Sequence, residues 1–347
     1  MVFFVFSCHS AGLFLSSYSI GLSLGWQSGS IFALWASMEV CMMSIVPLLS
    51  GETVQEADGG MVYFIFQVLG SSMVVVGAIL LSSGLSGLGP LSIVYYNLIL
   101  FLGLFMKLGL FPSYYWVVRC LSKLSWFNCF MVTVPQKVLP LWLLHNLTVF
   151  GFVIDWVELG ACCSSLVAVM MSPGVKDFRI LFGYSSILQT SFMALLTVSK
   201  MSSVILYLSV YALISLSFCF TMWRLNIYYA SCIMKMGKVQ KAGQAVVLSF
   251  YAFSLAGFPP FTGFGLKVLY LSSCMGLCPF GSIILILFSA VSFYFYYQIF
   301  VSVGMASCSG QVNVTAAFSS EEYRVLLYLS FAVNICGMAL FMVVGIL

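Results

Sequence analysis

Long, continuous apolar runs make up most of this chain, and each run is long enough to cross a lipid bilayer as a helix. A membrane-spanning helix takes about 20 consecutive apolar residues. The polar breaks between the runs predict about eleven spans, at residues 2–24, 28–50, 61–83, 91–118, 124–147, 152–172, 178–199, 202–223, 243–273, 280–303 and 325–346. The runs do not alternate at every second residue, which argues against a membrane β-barrel. The sequence therefore predicts an all-α, polytopic membrane helix bundle that forms a single membrane domain over residues 1–347.

The scarcity of charge supports this prediction and excludes other classes of protein. Only 6% of the residues are charged and 62% are hydrophobic, whereas a soluble domain carries about 25% charged residues. Such a composition also excludes a disordered chain. A net charge of +4 without a basic stripe predicts no nucleic-acid partner. The twelve cysteines are scattered through apolar runs without polar ligands beside them, so we expect buried thiols and no metal site.

The distribution of cations between the loops predicts the orientation of the bundle. Loops on the N-terminal side hold nine of them, namely Arg119, Lys123, Lys176, Arg179, Arg224, Lys235, Lys238, Lys241 and Arg324. The opposite side holds only Lys200. This positive-inside bias places the N-terminus in the compartment where the protein is synthesised. The apolar start lacks the features of a signal or transit peptide, so we expect the first run to be retained as a helix.

Four ionisable residues remain deep inside the predicted spans. Glu39 lies in the second span, Lys107 in the fourth, Lys137 in the fifth and Lys267 late in the ninth. Each such group costs about 2.5–3.5 kcal/mol at the centre of a membrane, and four together cost as much as the net stability of a typical domain. Structural ion pairs are the alternative explanation, but one acid and three bases are poorly matched for it. The pattern therefore favours a functional role in moving protons.

Prolines and glycines interrupt the helices beside the three lysines. Pro112 follows Lys107, Pro135 and Pro140 bracket Lys137, and the stretch 257–265 contains two prolines and three glycines before Lys267. Unwound backbone at membrane depth is tolerated only inside the protein or beside a wet cavity, so each break predicts a hydrated pocket next to a lysine. A simple proline kink is the alternative.

The two broken spans also predict an internal repeat. The fourth and the ninth span lie five helices apart, and this odd offset gives the two halves opposite orientations, as in the inverted repeats of transporters. The predicted organisation is a first five-helix repeat over about residues 1–150, a second over 151–305, and a loop with the last helix over 306–347.

Several motifs occur along most of the chain in the order found in one family. They are Trp35 to Leu49 with Met38-Glu39 and Pro47, Glu56-Ala57 with Tyr63-Phe64 and Gln67, Met106-Lys107-Leu-Gly-Leu-Phe-Pro112 with Tyr115-Trp116, Gln136-Lys137 with Pro140, Arg179 with Tyr184-Ser-Ser-Ile187, and Leu255 to Lys267. Together they resemble NADH dehydrogenase subunit 2 of mitochondrial respiratory complex I, a family of antiporter-like membrane subunits.

The resemblance implies a proton-translocating membrane-arm subunit of NADH:ubiquinone oxidoreductase. Glu39 would tune Lys107, Lys137 would be the central relay, and Lys267 would release protons to the outer side. This chain would hold no redox centre, so NADH, FMN, iron–sulfur clusters and ubiquinone would bind to other subunits. We expect other membrane-arm subunits and lipids as partners, so the chain would not be a free monomer. The expected location is the mitochondrial inner membrane, with the N-terminus facing the matrix.

The chain also departs from the family pattern, but none of the departures affects the four buried charges. At six positions the residue differs from the one usual in the family: Tyr114, Arg119, Pro135, Ile180, Gln189 and Gln298. Two alternative functions remain at this stage, a stand-alone cation/proton antiporter of the same fold and a structural scaffold of the membrane arm. A stand-alone antiporter would be stable by itself, whereas a subunit of the complex would copurify with NADH-oxidising partners. A structural scaffold would leave proton pumping intact when the lysines are neutralised.

Overall fold

The computed structural model describes residues 2–51, 53–82, 90–148, 152–229, 238–308, 325–326 and 328–335. Thirteen α-helices are named within these ranges: α1 (Val2–Gln27), α2 (Ile31–Leu49), α3 (Val54–Ser82), α4 (Pro90–Leu108), α5 (Tyr115–Leu121), α6 (Trp126–Thr133), α7 (Val138–Leu147), α8 (Phe152–Met171), α9 (Phe178–Leu196), α10 (Met201–Leu225), α11 (Lys238–Ala256), α12 (Thr262–Cys274) and α13 (Pro279–Cys308). A 3₁₀-helix, Pro135–Lys137, separates α6 from α7. Residues 328–335 are also helical. The prediction of an all-α fold is therefore confirmed for the described part of the chain.

Five helical stretches among the described residues are long and apolar enough to cross a membrane. They are Ile31–Leu49, Val54–Ser82, Trp126–Leu147, Val153–Met171 and Met201–Leu225. Bulky apolar side chains such as Met43, Met61 and Ile65 are at least half exposed, as expected for a surface that faces lipid. The chain is thus a membrane helix bundle, while the count of eleven spans and the inverted repeat stay predictions. Most of the predicted last span lies outside the described residues.

The third helix begins seven residues earlier than the sequence predicted. Glu56, Asp58 and two glycines suggested a loop up to residue 60, but α3 begins at Val54. The reason is a cap, because the backbone N–H of Glu56 donates to the Thr53 hydroxyl at 3.2 Å. A threonine followed by a glutamate three residues later is a common helix start.

The chain divides into two compact units, Met1–Ser164 and Ser165–Leu347. In the first unit, α3 and α4 approach closely because glycines line their contact. A Cβ atom on Gly103 would lie 2.8 Å from the Gly70 carbonyl oxygen, and one on Gly77 would lie 2.8 Å from the Leu100 Cβ. Small residues allow such contacts between membrane helices, and this contact brings the end of α4 against α3.

In the second unit, α9 is almost entirely buried, from Leu181 to Leu196 with few exceptions. Aromatic contacts join it to its neighbours: Phe182 stacks on Phe218 of α10 at 5.3 Å, and Phe192 meets Tyr270 of α12 at 4.8 Å between ring centroids. This buried helix carries several hydroxyl and amide side chains, so the interior of the second unit is partly polar.

The breaks predicted beside the lysines are present. The fourth span is divided into α4 and α5, and the ninth into α11 and α12. Gly109 and Gly257 follow the two first halves, and each has a φ of 71°. Glycine adopts this left-handed conformation without the steric cost that other residues incur. The fifth span contains the 3₁₀-helix that ends at Lys137.

Candidate functional site

Lys107 lies in the last turn of α4, and a glycine cap ends the helix directly after it. The backbone N–H of Leu110 donates to the Phe105 carbonyl at 3.0 Å, and that of Gly109 donates to the Met106 carbonyl at 3.3 Å. This pair of hydrogen bonds around a left-handed glycine is the Schellman motif. The sequence therefore ends the helix at a fixed point, Leu108, one residue beyond Lys107.

Two side chains add hydrogen bonds to the carbonyl groups at the end of this helix. The indole N–H of Trp116 donates to the Met106 carbonyl at 2.9 Å, and the amide of Gln67 donates to the Lys107 carbonyl at 3.2 Å. A buried carbonyl without a partner would be costly. Because Trp116 comes from α5 and Gln67 from α3, three helices fix the backbone that carries Lys107.

Lys107 and Glu39 form a direct ion pair. The Lys107 Nζ lies 3.0 Å from the Glu39 Oε1, and the two side chains are 2% and 21% exposed. The family resemblance implied that Glu39 would tune Lys107, and the structure places the two charges in contact. Gly70 leaves room for it, since a Cβ atom there would lie 2.9 Å from the Lys107 Cγ.

A small cavity of about 10 Å³ lies beside the ion pair, which is roughly the space that the centre of one water molecule needs. Lys107, Tyr18 and Gln136 are among the residues that line it. Within the described part of the chain, neither the Tyr18 hydroxyl nor the Gln136 Oε1 has a hydrogen-bond partner. Three polar groups therefore meet at a space that fits one water molecule.

Lys137 ends the 3₁₀-helix and is only 4% exposed. Its neighbours in sequence, Pro135 and Gln136, line the cavity next to Lys107. The structure thus brings together three predicted features: Glu39, Lys107 and the break in the fifth span that carries Lys137.

Lys267 lies in the second unit, in the second turn of α12. Its Nζ donates to the Ala256 carbonyl at 2.7 Å, which is one of the orphan carbonyls at the C-terminal end of α11. The negative end of the helix dipole favours a cation at this point. A Cβ atom on Gly257 would lie 2.5 Å from the Lys267 Cε, so the break itself makes room for the lysine. The proton relay through Lys107 and Lys137 to Lys267, which the family resemblance implied, stays a prediction.

The structure also shows what stands at three positions that depart from the family pattern. The Tyr207 hydroxyl donates to the Gln189 side-chain oxygen within the buried part of the second unit. Tyr114 directly precedes α5, and Arg119 is exposed. The side chain of Gln298 lies outside those that the structure describes.

Sequence reasoning missed the supporting roles of Gln67, Gly70 and Tyr18. Gln67 carried a signal, because it is a polar residue in the middle of a long apolar run. Gly70 and Tyr18 carried none, since glycines and tyrosines are frequent throughout this chain.

Comparison with known proteins assigns the chain to a family. Residues 28–295, more than half of the chain, match the family described as NADH:quinone oxidoreductase/Mrp antiporter, TM. The chain belongs to this family. The match includes Glu39, Lys107, Lys137 and Lys267 and all three helix breaks.

One relative and two solved structures illustrate what this chain is similar to. NADH-ubiquinone oxidoreductase chain 2 of Lumbricus terrestris is 28% identical over 297 residues, which cover 84% of this chain and 85% of that protein. A chain of respiratory complex I from Thermus thermophilus has a TM-score of 0.77 at 18% identity, covering 97% of this chain and 78% of that one. A chain of the Mrp complex from Dietzia sp. has a TM-score of 0.73 at 13% identity, covering 95% and 75%. These structures share the fold of the present chain.

Proposed function

We propose that this chain is a proton-translocating, antiporter-like subunit of the membrane arm of an NADH:ubiquinone oxidoreductase. Its antiporter family and its similarity to chain 2 of that enzyme from Lumbricus terrestris support the proposal. The observation that carries it is the buried Lys107–Glu39 ion pair beside a helix break. The redox groups, NADH, FMN, iron–sulfur clusters and ubiquinone, would be bound by other subunits.

The first step of the proton relay is the separation of the Glu39 carboxylate from the Lys107 ammonium group. While Glu39 lies close, the ion pair stabilises the protonated form of Lys107. When the carboxylate withdraws, desolvation penalises the ammonium group, and Lys107 releases a proton. One water molecule in the cavity that Tyr18 and Gln136 line would take this proton from Lys107 and pass it on toward neutral Lys137, while the Gln136 Oε1 would accept a hydrogen bond from the water and orient it.

Lys137 is the next acceptor in this scheme, and Lys267 is the last. Each proton transfer moves a unit charge, which at about 10 Å and an effective dielectric constant near 20 is worth roughly 1.7 kcal/mol. Such an energy changes a proton-transfer equilibrium by roughly tenfold. Each step therefore biases the next one, and Lys267 would release the proton to the outer side.

The proposal also includes the membrane topology and the neighbouring subunits of the chain. It comprises eleven spans, ten of them in two inverted five-helix repeats at about 1–150 and 151–305 and one at the end of 306–347. The chain lies in the mitochondrial inner membrane with the N-terminus in the matrix. At Gly257 the Gly257 and Phe258 N–H groups donate to the Ser254 and Phe253 carbonyls, at 3.2 and 3.1 Å. This is the same Schellman cap as at Gly109, with the same φ of 71°, and the shared motif supports the repeat. The neighbours are other membrane-arm subunits and lipids.

Substitution of Lys107 in the assembled complex tests the proposal. We expect proton pumping and quinone reductase activity to fall together in Lys107→Ala, because the relay loses its first titratable group. Lys107→Arg should also be impaired, since arginine stays protonated and cannot exchange its proton. Lys123→Ala is a matched control: Lys123 lies 3.5 Å from Asp58, with side chains 29% and 62% exposed, and exposed ion pairs contribute little. Full pumping by the assembled Lys107→Ala enzyme would contradict the proposal.

A second candidate is a cation/proton antiporter outside a redox complex, which the likeness to the Mrp complex chain favours. Gentle purification from native membranes separates the two candidates. A particle that oxidises NADH and contains this chain supports the redox complex, whereas a stable particle without such activity supports the independent antiporter.

A further inference from the structure

Asn334 is a buried polar residue in the helical segment 328–335, and it contacts both sides of the break in the ninth span. The Asn334 side chain is 7% exposed. Its Oδ1 accepts from the Ser254 hydroxyl at 2.8 Å, which shares its one proton with the Phe250 carbonyl at 2.7 Å, and from the Thr262 hydroxyl at 3.4 Å. The backbone N–H of Thr262 also points to this oxygen, at 3.5 Å. Asn334 lies beyond residues 28–295, which match the family.

The hydrogen-bond partners fix the orientation of the Asn334 amide. Its Nδ2 donates to the Ser330 carbonyl at 2.8 Å, and a carbonyl can only accept. The backbone N–H of Thr262 can only donate, so the oxygen of the amide must face the break. Asn334 therefore offers a single acceptor to groups from two different helices.

The first of these helices, α11, ends beside the Asn334 oxygen, and the second, α12, begins there. Ser254 is in the last turn of α11, and Thr262 is the first residue of α12. Phe261, at the cap position of α12, provides no side-chain hydrogen bond. Asn334, from a third helix, therefore supplies the acceptor for the groups at the start of α12. The two ends are in direct contact, since a Cβ atom on Gly263 would lie only 1.8 Å from the Ser254 carbonyl oxygen.

Lys267 depends on the same arrangement. It belongs to α12, but its Nζ donates to the Ala256 carbonyl of α11 at 2.7 Å. Any displacement of the start of α12 from the end of α11 changes this contact. Phe331, three residues before Asn334, packs on Phe250 of α11 at 4.8 Å between ring centroids and holds the last helix against the break.

We infer that Asn334 is a positioning residue, which joins the two halves of the broken helix and so sets the contact between Lys267 and the Ala256 carbonyl. This inference rests on the proposed function, in which Lys267 is the last proton carrier. The acceptor oxygen is the essential group, so a residue that keeps the oxygen should keep the function.

The test compares variants of the full chain in the assembled complex, reconstituted in vesicles, by the number of protons moved per electron. Asn334→Leu removes the acceptor at similar size, and we expect its ratio to fall toward that of Lys267→Ala. Asn334→Asp retains an acceptor oxygen and should restore most of the ratio. The double substitution Ser254→Ala and Thr262→Val removes two donors without touching Asn334, and it should lower the ratio as well. If Asn334→Leu does not assemble, the proton-to-electron ratio of this double variant tests the inference instead.

Asn128→Leu is the matched control, because Asn128 is 6% exposed and its amide donates to the Leu48 carbonyl at 3.0 Å, in the first unit. It should reduce the amount of complex without changing the ratio. If Asn334→Leu and the double variant only reduce the amount of complex and keep the normal ratio, Asn334 is merely structural and the inference is wrong. If Lys267→Ala itself keeps the normal ratio, the proposed role of Lys267 has failed instead.

Discussion

At the residue scale, the account depends on how the cost of burying Lys107 is met. An unpaired buried charge is penalised by several kcal/mol, and the Glu39 carboxylate at 3.0 Å offsets this cost. The ion pair therefore stabilises the resting state and also provides the means to change it, because separating the pair exposes Lys107 to the full penalty. A purely apolar replacement would be cheaper to bury but could not carry a proton.

The Tyr18 hydroxyl gives a prediction at this scale. We expect Tyr18→Phe to slow proton pumping by several-fold, since one lost water-mediated hydrogen bond of about 1 kcal/mol changes a rate roughly fivefold. Tyr211→Phe is the control, because Tyr211 is also buried and its hydroxyl has no hydrogen-bond partner among the described residues, but Tyr211 does not line this cavity. Equal pumping rates in the two variants would remove Tyr18 from the route.

The residues of the site were predictable to different degrees. Glu39 and Lys107 stood out because a charge in a long apolar run is rare and expensive. Gln67 and Asn334 are polar but uncharged, and such residues also occur in ordinary helix contacts. Their roles follow only from the fold, which brings each of them to a helix end far away in sequence.

At the element scale, the close contact between α3 and α4 fixes the position of Lys107. We expect Gly103→Ala to destabilise the complex by about 1–3 kcal/mol, because the added Cβ would lie 2.8 Å from the Gly70 carbonyl oxygen and the helices would have to separate. Thermal denaturation of the purified complex measures this effect. Gly12→Ala is the control, since nothing lies within 4 Å of the added atom. A normal melting temperature for Gly103→Ala would show that the helices can adjust.

The break at Gly257 gives a second prediction at this scale. Gly257→Ala would force alanine into a left-handed conformation, which costs about 1–2 kcal/mol, and would also place a Cβ 2.5 Å from the Lys267 Cε. Gly174→Ala has the same backbone strain, with φ of 77°, but nothing within 4 Å. We therefore expect proton pumping to fall in Gly257→Ala and to remain near normal in Gly174→Ala. Similar pumping in both variants would mean that displacing Lys267 has no effect.

The existence of the helix breaks could be predicted, because glycine and proline disfavour a continuous helix wherever they occur. The exact ends could not, since they depend on tertiary contacts. Trp116 and Gln67 complete the end of α4 from two other helices, and no local pattern contains that information. The start of α3 differs, because there a local contact, the Thr53 cap, begins the helix within a polar stretch that had predicted a loop.

At the scale of the whole molecule, the distribution of cations gives a prediction of topology. We expect the segment from Arg224 to Lys241, which includes the end of α10 and the start of α11, to face the matrix, because nine of the ten cations predicted outside the spans lie on that side. Antibody or protease access to this segment, tested in intact and in opened mitoplasts, measures its side. Cleavage at this segment from the intermembrane side of intact mitoplasts would reverse the orientation.

The most direct test of the central claim is the number of protons moved per electron by the assembled complex carrying Lys137→Ala. Lys137 is 4% exposed at the break of the fifth span, and the account makes it the central carrier. Lys200→Ala, at an exposed position before α10, is the matched control. The account predicts a clear fall of the ratio in Lys137→Ala and a normal ratio in Lys200→Ala. A normal ratio in the assembled Lys137→Ala complex would contradict it.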